Sequence, residues 1–425
     1  MDGITLVLLF LGLMVLGVPI AVSLGLSGAI YILVQGIPIV LVAQRIGSYL
    51  LSFPLLAVTL FVLAGNIMNE SDVTTQLSRT AEILVGKLRG GLAHVNIIGS
   101  LIFAGMSGSA LADIGGLGKI EIETMTKSGY NKDTSAALTA ASSLVGPVFP
   151  PSIPLVIYAS LASVSATSCL IGGIVPSFVM VAALMAIVAI QAKKYHWPRC
   201  EQKWTLKEKL KILGTAAPAI FSILLLAGGL FSGSFSATEL GALCCCYVLL
   251  IGFLFYRQLT FKKLVHAFRS TIRTVSSIMF VAGCASLYAL CLTMAGLPGQ
   301  VASGILALSA NKYVILLLIN VVLLIAGMFM DTNAAQLILV PIFVPICKAA
   351  DIDLIHLGVI MCLNLMIGIL TPPVGTGLFL VSKVSGLPIN KILPKMLPYY
   401  GALAVALLLI TYVPELVTWL PGVVG

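Results

Sequence analysis

Two stretches roughly 220 residues apart carry the same helix-breaking punctuation inside apolar sequence. The first runs Ser107-Gly-Ser-Ala-Leu-Ala-Asp113 and then reaches Gly146-Pro-Val-Phe-Pro-Pro-Ser-Ile-Pro154. The second runs Gly327-Met-Phe-Met-Asp-Thr-Asn333 and then reaches Gly368-Ile-Leu-Thr-Pro-Pro-Val-Gly375. Each sets a lone aspartate in a small polar patch and follows it, about forty residues later, with a proline pair flanked by Gly, Ser or Thr. Proline removes a backbone donor and glycine loosens the backbone, so apolar helices bearing both are interrupted. Interruptions at matching places of two halves point to a site built from unwound backbone.

Composition names the solvent. The chain is 59% hydrophobic and 9% charged, with a mean hydropathy of +1.11. Apolar runs long enough to cross a hydrocarbon layer of about 30 Å recur from Ile4 to Trp419. Lipid tolerates only helices and closed barrels, and runs of this length are helical. The expected fold is an all-α polytopic membrane protein with two inverted-topology repeats, each holding a re-entrant helical hairpin and a broken transmembrane helix. The run from Ile4 lacks a basic leader and a small-residue cleavage site, so it reads as a retained helix. Nine cysteines show no zinc or redox spacing, and Cys244-Cys245-Cys246 reads as mid-helix packing. An enzyme finds no support: no His-Glu-x-x-His pair and no Gly-x-Ser-x-Gly elbow occur. A primary pump lacks its Gly-x-x-x-x-Gly-Lys-Ser/Thr phosphate loop.

The net charge of +9 looks like a nucleic-acid signal, but its placement says topology. Lys193–Lys211 holds seven basic residues against two Glu, Arg257–Arg273 five with no acid, and Lys383–Lys395 three with none. Basic loops stay cytoplasmic. The spans then thread as follows: ~4–17 and ~19–35, a semi-polar segment ~38–50, a span ~52–69, an amphipathic stretch ~72–92, and an out-and-back ~95–128. Spans ~134–160 and ~171–192 close the first repeat, residues 1–212. The second, 213–425, has spans ~214–232 and ~238–256, a basic connector ~257–270, a span ~272–295 and a stretch ~298–311. An out-and-back ~313–347 and spans ~356–382 and ~396–419 complete it. This puts 21 of the 24 Lys/Arg on the cytoplasmic side, both termini in the periplasm, and no nucleic acid among the partners.

A helix running straight through Asp113, Lys119, Glu121 and Glu123 would strand charges in lipid at about 2.5–3.5 kcal/mol each. A hairpin that turns at Ser107–Asp113 and returns avoids this, and Asp331 sits at the tip of its counterpart. Two readings of the aspartates stand side by side. Each carboxylate can cap the returning arm. Each can also help form a cation site, since a hard ion wants oxygens and an unwound segment supplies carbonyls. Candidate ligands are Ser107, Ser109, Asp113, Ser142, Ser143, Gly146 and Val148 in one half, and Asp331, Thr332, Asn333, Asn364, Gly368, Thr371 and Gly375 in the other. Candidate solute contacts are Ser107, Gly108, Ser109, Pro150, Ser152, Asn333 and Pro373. A single proline pair reads as a simple kink; two, matched, read as unwound binding segments.

These motifs, with Ile157-Tyr158 and Gly358-Val-Ile-Met-Cys-Leu-Asn364, closely resemble the large membrane subunit of tripartite ATP-independent periplasmic (TRAP) transporters along essentially the whole chain. The resemblance implies a secondary transporter of the bacterial inner membrane, coupled to Na⁺ and working by an elevator motion. A mobile transport domain would carry hairpins and broken helices, and a scaffold the other spans, each drawn from both halves. It further implies a separate small four-helix membrane subunit, a periplasmic solute-binding protein, and a small organic acid as solute: a dicarboxylate, keto acid, sugar acid or sialic acid. Because Met1 opens directly on the first span, the small subunit is expected as a separate chain. No Lys or Arg is expected at mid-membrane depth, so anion capture would fall to helix N-termini, backbone N–H groups, hydroxyls and bound Na⁺. The alternative is an ion-coupled carrier or antiporter of similar build that needs no binding protein.

Overall fold

The computed structural model describes residues 1–71, 80–199, 205–308 and 311–424, with backbone only at 104–107, 206, 302 and 305–308. Part of the amphipathic stretch (72–79), part of the basic connection (200–204) and the Ser107 side chain therefore lie outside the described residues. Every regular element among the described residues is helical, and eight helices are long and apolar enough to cross a membrane.

The sequence breaks where its chemistry requires. In the first half, Gly91–Ser107 runs up to a turn at Gly108, and the chain returns as Ala110–Gly116 and Gly118–Lys127. Lys132–Ser143 and Ile153–Ala162 follow as two pieces of one interrupted helix. The second half repeats this with Lys312–Phe329 and Thr332–Ala349, then Leu354–Ile369 and Thr376–Ser385. The peptide bonds Pro150–Pro151 and Pro372–Pro373, one in each interruption, are both cis.

Two expectations are corrected. The basic connector and the span after it form one continuous helix, Phe261–Met294, of 34 residues. Lys and Arg are good helix formers, and no proline lies between Phe261 and Met294, so a span can end at an interface while its helix runs on. Conversely, the last apolar run divides into Ile389–Tyr412 and Glu415–Val424. Pro414 disfavours the helical region at the residue before it, and Val413 is indeed extended out of the helix at φ −121° and ψ 79°.

The interrupted helices are the centre of the molecule. Every residue from His356 to Ile369 is buried, as is every residue from Thr134 to Ser143. The latter segment is rich in Ala, Ser and Thr, which lets Gly91–Ser107 and Ile389–Tyr412 pack closely against it. The halves interlock: Ile153–Ala162 packs on Thr332–Ala349 of the other hairpin, and Thr376–Ser385 packs on Ala110–Gly116. Around this core, Phe53–Glu70 packs on Ala237–Leu250, and Ile20–Val34 packs on Phe261–Met294, again pairing one half with the other.

Candidate functional site

The first hairpin tip is pressed onto the first interruption. Gly108 has φ +61°, and a Cβ there would lie 2.6 Å from the Pro151 carbonyl oxygen and 3.1 Å from the Ile153 nitrogen. Only glycine meets both demands. The second tip is tied to its own interruption: the Gly375 N–H donates to the Met328 carbonyl at 3.1 Å, with Gly375 itself at φ +55°.

Capping settles one of the open questions and corrects the pairing of the aspartates. Asp331 is the N-cap of Thr332–Ala349, its carboxylate accepting from the Asn333 N–H at 3.0 Å. In the first hairpin Ser109 holds that place, accepting from the Ala112 N–H at 3.4 Å, and Asp113 lies one turn further in. Ser109 and Asp331 are 222 apart in number, as are Ser142 and Asn364, and Pro150 and Pro372. The structural counterpart of Asp331 is therefore Ser109. Asp113 is 1% exposed and neither of its oxygens makes a hydrogen bond, although the Ser100 hydroxyl lies near. An acceptor-only group buried this way is costly unless something positive or a proton joins it.

Behind each tip lies a polar network in the same place. Asn96 accepts from the Ser142 hydroxyl at 2.7 Å and donates to Thr139 Oγ1 at 2.8 Å and Glu121 Oε2 at 3.0 Å. In the second half Asn364 donates to Asn320 Oδ1 at 2.6 Å, and Asn320 donates to Thr411 Oγ1 at 3.1 Å. Ser143 is satisfied within its helix by the Ala140 carbonyl, and Thr371 by that of Ile367. Among the described residues, the oxygens buried without a partner in this region include both of Asp113, Asn333 Oδ1, Gln336 Oε1, Asn364 Oδ1 and Thr376 Oγ1. All are hard donors suited to an alkali cation.

Between the tips and two outer helices is a cavity of about 500 Å³. Gly108, Ser109, Asp331, Thr332 and Asn333, all singled out from the sequence, line it. Pro150, Ser152 and Pro373 are not on its wall; Ser152 instead caps Ile153–Ala162, accepting from the Leu155 N–H at 3.1 Å and donating to the Pro147 carbonyl. Gly146 and Val148 lie in the first interruption, fully buried, and Gly368 closes the helix before the second. The opposite wall went unread: Asn66 and Asn69 on Phe53–Glu70, and Thr274 and Ser277 on Phe261–Met294. Each is a polar pair spaced i, i+3 on an apolar helix, which was the available signal.

Paired hairpins and interrupted helices that meet at a partly open cavity are the build of a polytopic membrane transporter. A family model described as "Tripartite ATP-independent periplasmic transporter, DctM component" matches residues 7–416. The sialic acid TRAP transporter large permease protein SiaM of Vibrio cholerae is 38% identical over 413 residues, covering 97% of this chain and 96% of the relative. A C4-dicarboxylate TRAP large permease protein, DctM of Pseudomonas aeruginosa, is 36% identical, with 95% and 94% covered. The 2,3-diketo-L-gulonate counterpart YiaN of Escherichia coli is 33% identical, with 97% and 98% covered. The YdaH transporter of Alcanivorax borkumensis shares the fold alone, at 14% identity and a TM-score of 0.63 over 89% of this chain and 88% of that one. The chain belongs to the DctM family of TRAP transporter large permeases.

Proposed function

We propose that this protein is the large permease of a sodium-coupled importer of a small organic acid, fed by a periplasmic binding protein and completed by a small membrane subunit. One observation carries the coupling. Among the described residues lining the cavity the only charged one is Asp331, and its charge is negative. An organic anion entering there meets like charge, with only helix N-termini, amides and hydroxyls in its favour. A cation held at the tips by Asp331, Asn333 Oδ1, Asn364 Oδ1 and, in the other half, the two free oxygens of Asp113 removes that conflict. Anion and cation then bind best together, which is what symport requires.

With the basic loops in the cytoplasm of a bacterial inner membrane, the first hairpin enters from the cytoplasm and the second from the periplasm. The cavity walls on Phe53–Glu70 then lie toward the cytoplasmic end, at Asn66 and Asn69, so the solute site faces inward in this conformation. Import needs the same site to face outward, and the closed unit of hairpins and interrupted helices is the body that would slide, as an elevator, against the outer helices. The relatives' solutes are sialic acid, C4-dicarboxylates and 2,3-diketo-L-gulonate. All are small acids, and a cavity of about 500 Å³ is of the size that holds such molecules. The test is uptake of labelled organic acids into proteoliposomes containing both membrane subunits, with and without Na⁺ and with and without loaded binding protein. Full-rate accumulation of free acid with no binding protein would leave the binding-protein-independent carrier as the correct reading.

A further inference from the structure

The solute cavity has a counterpart at the other end of the same seam. A second cavity, of about 520 Å³, is walled on one side by Val40–Leu50 and Phe261–Met294 and on the other by the ends of Ile153–Ala162 and Thr332–Ala349. The starts of those last two helices wall the first cavity, and Phe261–Met294 walls both. Along that shared helix the first cavity touches Thr274 and Ser277, and the second touches Ser286 and Thr293. Nine residues separate Ser277 from Ser286, about 14 Å at 1.5 Å per residue.

The charges of the two cavities are opposite. Among the described residues lining the second, Arg45 is the one that is charged, set among Ser48, Ser160, Ser163, Ser286 and Thr293. Its guanidinium is largely unspent: Nε donates to the Ser286 carbonyl at a long 3.4 Å, and no carboxylate pairs with it among the described residues. Two further hydroxyls on this wall, Tyr49 Oη and Ser52 Oγ, are buried without a hydrogen-bond partner; the Ser160 hydroxyl approaches Tyr49 without closing a bond. A planar, permanently charged fork among hydroxyls is what a carboxylate fits. Among the described residues lining this cavity, Arg45 is the one cation.

We propose that the Arg45 cavity is the outward receiving station, in which Arg45 binds the carboxylate of the incoming acid when the transport body has moved toward the periplasm. This rests on the import reading above. Sliding the tips by about two and a half turns along Phe261–Met294 brings the solute site from the level of Ser277 to that of Ser286, beside Arg45. The return stroke carries the acid away from Arg45 toward Asn66 and Asn69, so the strong anion contact is made on arrival and lost before release.

In a cysteine-depleted background, Arg45→Cys, Arg45→Lys and parent are reconstituted with the small subunit, and uptake of labelled sialic acid and a labelled C4-dicarboxylate is measured from loaded binding proteins. Arg45→Cys should lower initial uptake at least tenfold, and Arg45→Lys should keep a third or more. Treating Arg45→Cys with a cationic aminoethyl thiosulfonate should recover uptake to within threefold of Arg45→Lys, while the anionic sulfonatoethyl adduct of similar size should not. Because both adducts form on folded protein, a purely structural role predicts no difference between them. Equal uptake by the two adducts, or Arg45→Cys uptake within twofold of parent, would overturn the proposal. A parent that moves neither of these acids nor labelled 2,3-diketo-L-gulonate from a loaded binding protein contradicts the import reading itself.

Discussion

Gly327 and Gly368 cross with their backbones in contact: a methyl placed on Gly368 would lie 2.6 Å from the Gly327 Cα. The first arm of the second hairpin and the first piece of the second interrupted helix are thus in direct backbone contact, near the point where Gly375 also binds the Met328 carbonyl. The analogous contact in the first half is Gly108 against Pro151. The elevator motion proposed above would need the tips and the interruptions to travel together, and glycine is what permits that closeness.

Gly368→Ala should therefore destabilise the protein by about 1–3 kcal/mol, the usual cost of forcing extra volume into a tight contact. Gly401→Ala, where a Cβ meets nothing within 4 Å, should be neutral or slightly stabilising. Thermal unfolding in detergent of both variants checks this. Equal melting temperatures for the two would show that the crossing has room to relax.

Ser109 and Asp331 cap corresponding helices, so removing either cap should cost about 0.5–2 kcal/mol. Ser109→Ala is the cleaner test, because it deletes a cap without deleting a charge. A loss of stability with an unchanged sodium dependence is expected, measured as melting temperature and as uptake against Na⁺.

The repeat was legible because its punctuation is local: a proline pair or a Gly-Ser turn acts on its own few residues, and both hairpins and both interruptions fell where those residues stood. The equivalence of the two aspartates was not legible. It depends on which residue reaches the free N–H groups of a helix start, and Ser109 does so one turn before Asp113. The far wall of the cavity was hidden for a different reason. Asn66 and Thr274 belong to helices some two hundred residues apart, and only their tertiary crossing makes one surface of them. Arg45 stands alone as a charge in its own stretch of sequence, but Arg45, Ser160 and Ser286 come from three separate segments that only the fold brings together.

Asn364→Leu should cost about 1–2 kcal/mol by stranding Asn320 Oδ1 away from water. The same loss is expected from Ser142→Ala with respect to Asn96 only if the two networks do equal structural duty. Melting temperatures of the two variants, measured side by side, test that symmetry. A loss for Asn364→Leu below about a quarter of a kcal/mol would show that Asn320 finds another partner.

Opposed hairpins place the loop after Lys127 and the loop after Ala349 on opposite faces of the membrane. Ser128→Cys and Ala349→Cys, each alone in a cysteine-depleted background, should react with an impermeant thiol reagent from opposite sides. Labelling of both from one side would contradict the inverted arrangement.

The central claim is that the hairpin-tip carboxylates couple solute to sodium, and initial uptake measured against external Na⁺ tests it most directly. Asp331→Asn keeps a cap acceptor and its size while removing the charge, and Asp113→Asn removes the charge from a buried carboxylate with no hydrogen-bond partner. At equal amounts of folded protein, both variants should need a higher Na⁺ concentration for half-maximal uptake, by fivefold or more, or should not transport at all, while the binding protein's affinity for the acid stays unchanged. Sodium curves for both variants that superimpose on the parent would show that the two aspartates only hold the hairpins in shape.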